Sequence, residues 1–187
     1  VAEFDTEAAE TGIWKDDTLT RGGRFAEGAE SGVYFTFDLK RGRTIQYRIG
    51  VSYVSVENAR ENLRAENASW NFAAVQQAAE KAWNDVLGRI EVEGTNPDRG
   101  GQFYTHLYRA MIHPHLCSDV NGEYMGAAFR IHRTRSRQYT SFSNWDTYRT
   151  QIQLLAMLFP DVASDVVLSH RDFAEQSGGA FPRWVMA

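Results

Sequence analysis

The cleanest pattern along the chain runs from Ile45 to Tyr53, where Ile45, Tyr47, Ile49, Val51 and Tyr53 alternate with Gln46, Arg48, Gly50 and Ser52. A period of two predicts a strand with one buried face. A β-branched and aromatic run, Val33–Asp38, lies upstream, and Lys40-Arg41-Gly42 forms a turn signal between them. Together these segments predict the last hairpin of an antiparallel sheet. Residues 1 to about 30 are acidic and glycine-bearing, with scattered Phe4, Ile13, Trp14 and Phe25 and no sustained period, which predicts loops with short strands.

After Tyr53 the period lengthens. Ser55 can cap a helix through Glu66 in which Val56, Ala59 and Leu63 share a face, and Asn71 can cap a second with Phe72, Val75, Ala79, Ala82, Trp83 and Val86 as its apolar stripe, ending at Gly88. Arg89–Glu93 reads as a short extended piece and Gly94 to Gly101 as a loop. A third helix is predicted from Gln102 to Ile112 and stopped by Pro114. Asn121-Gly122 signals a tight turn, followed by extended pieces at Phe129–His132 and Gln138–Phe142. Ser143 and Asp146 stand at capping-box spacing before a helix carrying Tyr148, Ile152, Leu155, Ala156 and Phe159, which Pro160 ends. A fifth helix, roughly Ser164 to Gln176, exposes Asp165 and Arg171 and buries Val166, Val167, His170 and Phe173 before Gly178-Gly179. Strands first and helices afterwards indicate an α+β chain: the end of a β domain, a helical connector and the beginning of a helical domain.

Composition narrows the picture. Hydrophobic residues make up 43% of the 187 and charged residues 24%, globular proportions that exclude disorder and collagen. One cysteine excludes a disulfide framework. A net charge of −4 disfavours a general nucleic-acid or anionic-membrane binder. No apolar run approaches the ~18 residues of a membrane span. The chain opens at Val1 without a methionine or leader and closes on the apolar stretch Phe181–Ala187, so we read it as a piece cut from a longer polypeptide.

Four constellations could carry chemistry. His113, His115 and Cys117 have metal-ligand types but no familiar zinc spacing, which favours imidazoles that satisfy a helix end; Cys117 as a nucleophile is weaker still. Arg130, Arg133, Arg135 and Arg137 could meet phosphates, but a solvated edge strand explains them more simply. In Tyr139–Arg149, by contrast, Trp145, Asp146 and Arg149 stand within five residues at a helix start. An aromatic face for the C–H side of a sugar ring and a carboxylate accepting hydroxyl protons are what a sugar site needs. The helix dipole favours a carboxylate at Asp146, and Arg149 can orient it. A capping carboxylate beside a buried tryptophan explains the same residues equally well. Lastly, Gly178-Gly179 followed by Pro182, Arg183 and Trp184 could deliver an aromatic to a cleft rim or form a plain helix exit.

Taken in order, Val51–Ala59, Phe103–Tyr108 through His113-Pro114, Ser118–Gly122, Tyr139–Arg149 and Pro182-Arg183-Trp184 resemble glycoside hydrolase family 92, the calcium-dependent exo-α-mannosidases. The resemblance covers most of the chain from about residue 33 onward, and Phe142–Arg149 is its most specific part. It implies an N-terminal antiparallel β-sandwich ending at residues 1–54, a helical connector at 55–93, and the first helices of a truncated (α/α)6 catalytic barrel at 94–187. It also implies hydrolysis of terminal α-linked mannose from glycans with inversion, using an acid and a base set apart to admit water. The acid, the base and the calcium ligands are expected past Ala187, so the isolated chain should be inactive and needs the rest of its parent polypeptide. Trp145 and Asp146 match positions that hold the terminal mannose; Arg149, Arg183 and Trp184 match further positions of the pocket. Asn121 stands where an aspartate is usual, and Asp119 reads as structural. A secreted or periplasmic location is implied by the family alone. A non-catalytic carbohydrate-binding or interaction module is the alternative reading.

Overall fold

The structure is a computed structural model and describes residues 1–39, 44–94 and 96–182. The turn expected at Lys40-Arg41-Gly42 and the candidate residues Arg183 and Trp184 lie outside the described residues.

Residues 2–49 form one compact unit. Its strands are β1 (Ala2–Phe4), β2 (Glu10–Lys15), β3 (Thr18–Arg21), β4 (Ser31–Thr36) and β5 (Tyr47–Ile49). An antiparallel sheet orders them β3-β2-β4, and β1 pairs separately with β5, placing Phe4 opposite Tyr47. Phe4 gathers the rings of Phe35 and Phe37, each 5.1 Å away, while Glu3 accepts from Arg48 Nη2 at 2.7 Å across the β1–β5 ladder.

The expected hairpin does not form, because β4 lies beside β2 and β5 beside β1. The long alternating strand is also shortened to Tyr47–Ile49, and its apolar positions point outward. Tyr47, Ile49, Val51 and Tyr53 are 65%, 56%, 64% and 56% exposed. Arg48, drawn inward by Glu3, takes the half-buried side instead. The Phe4 ring, 6.3 Å from that of Tyr47 between centroids, leaves the tyrosine still largely exposed.

Val1 and residues 50 onward form the second unit. Helix α1 (Val56–Glu66) is capped by Ser55 Oγ, which accepts from Asn58 N at 3.0 Å. Its buried face comprises Asn58, Ala59, Asn62 and Leu63, whereas Val56 is exposed. The two amides are buried because Asp119, 7% exposed, accepts from both. Asn58 Nδ2 donates to Asp119 Oδ2 at 2.8 Å, Asn62 Nδ2 to Oδ1 at 2.6 Å, and Ser52 Oγ to Oδ2 at 2.7 Å. A buried carboxylate is tolerable when its lone pairs are filled in this way. Gly50 packs so closely on α1 that a Cβ there would lie 2.1 Å from the Ala59 carbonyl oxygen.

Helix α2 (Phe72–Leu87) is capped by Asn71 as expected, but none of its residues is buried, and Phe72 and Val75 of the predicted stripe are exposed. Its described partner is α3 (Pro97–Met111), where Tyr108 meets Trp83 at 4.4 Å between ring centroids. Helix α3 begins five residues before the expected Gln102. Asn96 Oδ1 accepts from Asp98 N and Arg99 N at 3.0 and 3.4 Å, and Pro97 occupies the first turn, so this cap outweighs Gly100 and Gly101.

Beyond α3, β6 (His115–Leu116) pairs with β9 (Tyr139–Thr140), and β7 (Glu123–Met125) pairs with β8 (Ile131–Arg133). The Asn121-Gly122 turn forms, closed by Gly122 N donating to Asp119 O at 2.9 Å with Gly122 at φ +86. The single helix expected after Ser143 is broken into α4 (Asn144–Thr147) and α5 (Gln151–Leu158). Pro160 does not simply end a helix; it opens α6 (Pro160–Gln176), where its missing N–H costs nothing. The core of this unit joins Tyr139, Phe142, Leu155 and Val166, with Met111, Ile152, Phe159 and Val162 against it. Val167, expected inside, is 67% exposed, and Asp165, expected outside, is half-buried and accepts from Arg137 Nε at 2.8 Å.

Candidate sugar-binding site

The segment from Ser141 to Thr150 is held rigidly at both ends. Ser141 has φ +61, its carbonyl accepts from His113 Nε2, and the next side chain, Phe142, is 4% exposed in the core. At the far end Thr150 has φ +62 and ψ −47, and Gln151 N donates across it to Arg149 O at 2.7 Å. That is a γ-turn in its rarer, strained form, made by a β-branched residue. Backbone strain of this kind persists only where the surroundings impose it, and it concentrates at functional sites. Gln151 Nε2 supplies part of the restraint by donating to Ala110 O and His113 O at 2.9 and 3.2 Å.

Between these anchors the single turn α4 presents Trp145, 57% exposed, and Asp146, also exposed. The buried-tryptophan reading of this motif is therefore not what forms. Ser143 Oγ donates to Asp146 Oδ2, which leaves Asp146 Oδ1 without a protein donor among the described residues. The expected orientation by Arg149 is replaced by this serine. Arg149 turns to Tyr148 instead, with Nε donating to its hydroxyl at 2.5 Å and the guanidinium 5.2 Å from the ring centre. The helix break accounts for the change, because an i, i+3 pairing needs a continuous helix. One turn also supplies little of the dipole expected from a long helix.

Asn144, which sequence reasoning passed over, turns inward where its neighbours turn out. Its Nδ2 donates to Pro182 O at 2.6 Å, and its Oδ1 lies 2.9 Å from His170 Nε2. Pro182 is buried and is the last described residue. The signal available in the sequence was a polar side chain wedged into an otherwise apolar and aromatic motif.

The other constellations are not gathered into sites. His113 and His115 meet edge to face at 5.7 Å, and among the described residues no three His, Cys, Asp or Glu side chains cluster as a metal requires. The described residues therefore gather no carboxylate cluster of the kind that holds calcium. Burial, with a smaller contribution from Asp119, pushes the Cys117 thiol up to about 11, so it is no thiolate nucleophile at neutral pH. The arginines diverge: Arg137 binds Asp165, and Arg133 Nε donates to Asn121 O at 3.0 Å. A cavity of about 440 Å³ opens between Tyr53, Tyr124, Phe129 and Phe173, and neither Trp145 nor Asp146 lines it.

Residues 58–187 match the family model of the glycosyl hydrolase family 92 catalytic domain. The chain belongs to glycosyl hydrolase family 92. It is similar to a family 92 inverting mannosidase of Bacteroides thetaiotaomicron, with 29% identity and a TM-score of 0.89 over 98% of this chain and 25% of that one. A family 92 α-mannosidase of the same bacterium shares the fold at 23% identity and a TM-score of 0.87, over 98% of this chain and 26% of that one. A protein of Arthroderma benhamiae described as an uncharacterized secreted glycosidase is 31% identical over 100 residues, which are 50% of this chain and 13% of that protein. The chain thus spans about a quarter of the solved structures it matches. Its mixed α+β architecture, with small antiparallel sheets followed by helices, is that of their N-terminal region, and the described helices close no barrel. Among the described residues no helix is long and apolar enough to cross a membrane.

Proposed function

We propose that the polypeptide carrying this chain is an exo-acting, inverting α-mannosidase, and that this segment supplies part of the pocket for the terminal mannose. The observation that carries the reading is the exposed Trp145–Asp146 pair on a turn held rigid from Ser141 to Thr150. The indole gives a flat apolar face for the C–H side of the hexose. The Asp146 carboxylate, with one oxygen held by Ser143, offers the other to sugar hydroxyls. Arg149, Arg183 and Trp184 belong to the same pocket in this proposal. The 29%-identical inverting mannosidase of Bacteroides thetaiotaomicron supports the stereochemistry, which requires an acid and an opposed base far enough apart to seat a water. We place that pair, and any calcium site, in the parent polypeptide beyond Ala187. The fungal relative's description supports secretion, with a periplasmic location as its bacterial counterpart.

Substituting Asp146→Ala in the full-length polypeptide leaves sugar hydroxyls unpaired in the closed site. The expected loss is about 3 kcal/mol, ~100-fold in kcat/KM on α-linked mannobioses. An unchanged kcat/KM would remove Asp146 from the pocket, and an enzyme that binds mannose without turnover would favour a carbohydrate-binding module.

A further inference from the structure

The inward-facing side chain beside the exposed pair has a hydrogen-bond pattern with one solution. The Pro182 carbonyl can only accept, so the Asn144 amide nitrogen must be the atom facing it at 2.6 Å, which turns Oδ1 toward His170 Nε2 at 2.9 Å. Oδ1 also only accepts, so Nε2 must carry a proton. The other ring nitrogen, Nδ1, lies 2.8 Å from the Val166 carbonyl, one turn earlier in α6, and that oxygen likewise only accepts. Both ring nitrogens donate at once, which a neutral imidazole cannot do. The chain Val166–His170–Asn144–Pro182 is complete only when His170 is the imidazolium. Phe142 supports that form, since its ring lies 3.8 Å from the imidazole centre at 31°, and an aromatic face attracts a cation.

The surroundings contain little to compete. The small cavity beside the ring is lined mostly by apolar side chains such as Phe142, Ile152, Leu155 and Val166, with Thr147, Gln151, whose Nε2 is engaged by Ala110 O and His113 O, and His113, whose Nε2 is engaged by Ser141 O. His113 is the titratable group facing His170 from a neighbouring element among the described residues. Along α6 itself, Asp165 is bound by Arg137 and Asp172 by Arg171. A ring carrying one proton can keep only one of the two bonds, and the bond to Asn144 is the one that joins α6 to α4.

We propose that Asn144 is a positioning residue of the mannose pocket, holding the segment that enters Pro182 against the turn carrying Trp145 and Asp146, with cationic His170 completing the link. The proposal rests on the mannose-pocket reading, since it assigns Asn144 no contact with sugar. It extends that reading by making substrate affinity depend on a residue turned away from the substrate.

The test uses the full-length polypeptide, α-linked mannobioses and two variants. Asn144→Asp keeps the acceptor for His170 and loses the donor to Pro182, while Asn144→Leu loses both. Misplacing the pocket wall should raise KM by ~10–100-fold and leave kcat within about threefold. Histidine NMR, with His170 identified by His170→Gln, should show protons on both ring nitrogens in the folded wild type. If Asn144→Leu fails to fold, Asn144→Asp decides alone. An active enzyme whose variants keep the wild-type KM, or a His170 ring with a single proton in the folded wild type, overturns the proposal. Absence of mannobiose turnover in the wild type overturns the mannosidase reading instead, and the histidine spectrum still reports on the link.

Discussion

Cys117 and its neighbour Asp119 show how far burial alone can redirect a residue's chemistry. The thiol moves from its ordinary value of 9.0 to about 11 because burial penalises the thiolate and Asp119 adds to the penalty. Below its unfolded pKa, both the folded and the unfolded chain hold the proton, and stability does not depend on this group. Above it the unfolded chain releases the proton while the folded chain keeps it until about 11, so stability falls through that window. The urea midpoint should therefore drop between about pH 9 and about pH 11, and Cys117→Ala should flatten the drop. Iodoacetamide should label the folded chain far more slowly than the unfolded one. A variant midpoint that falls as steeply as the wild type would assign the titration to Tyr124 or Tyr139, which burial also raises. Asp119 and Asp146 make the complementary contrast. In sequence both are aspartates in motif-like runs; in the structure Ser52, Asn58 and Asn62 fill Asp119, while Asp146 has no second donor among the described residues. What separates a filled carboxylate from an open one here is which partners the fold brings from 57 to 67 residues away.

At the level of elements, Thr150 is the hinge on which the candidate site's shape depends. A helix running unbroken from Ser143 would carry Trp145, Asp146 and Arg149 along one continuous cylinder. The γ-turn at Thr150 instead separates the site turn from α5. Thr150→Gly should relieve a positive φ that a β-branched side chain resists, and we expect a net gain of about 1 kcal/mol in unfolding free energy. The released turn should also hold Trp145 less firmly, so the full-length enzyme should bind mannobiose more weakly even as its melting temperature rises. A variant that loses stability would show that Thr150 is unstrained. Local signals predicted what local interactions decide: the Ser55 and Asn71 caps, the Asn121-Gly122 turn and the presence of α1, α2, α3 and α6 all formed. Pairings set by distant partners were not legible. The β1–β5 ladder needs Glu3 and Arg48, 45 residues apart, and the polar face of α1 needs Asp119. For the site, the exposed Trp145–Asp146 pair was legible in the motif, whereas its support by Asn144, His170 and Pro182 was not, since those contacts span 26 and 38 residues.

On the scale of the whole chain, apolar surface stands open in both units. Tyr47 and Ile49 project from the β1–β5 ladder of the first. In the second, Val51, Tyr53, Phe72, Val75 and Phe129 are exposed, Phe129 to 91%. Soluble monomers rarely present so many large apolar side chains in runs. The matched structures are about four times longer than this chain, so relatives of the same fold have ample additional surface with which to cover the corresponding positions. Expressed by itself, the 187-residue chain should associate with rising concentration in light scattering and bind a hydrophobic dye. It should also show no mannobiose turnover, because the proposed acid and base lie in the rest of the parent polypeptide. Replacing Tyr47, Ile49, Val51 and Tyr53 together with Thr should cut association without lowering the unfolding midpoint, because none of these side chains is buried in the described structure. A loss of stability in that variant would mean that the alternating face packs against this chain's own residues after all. A monodisperse, dye-silent wild type would mean that the apolar runs are too dispersed to act as a surface.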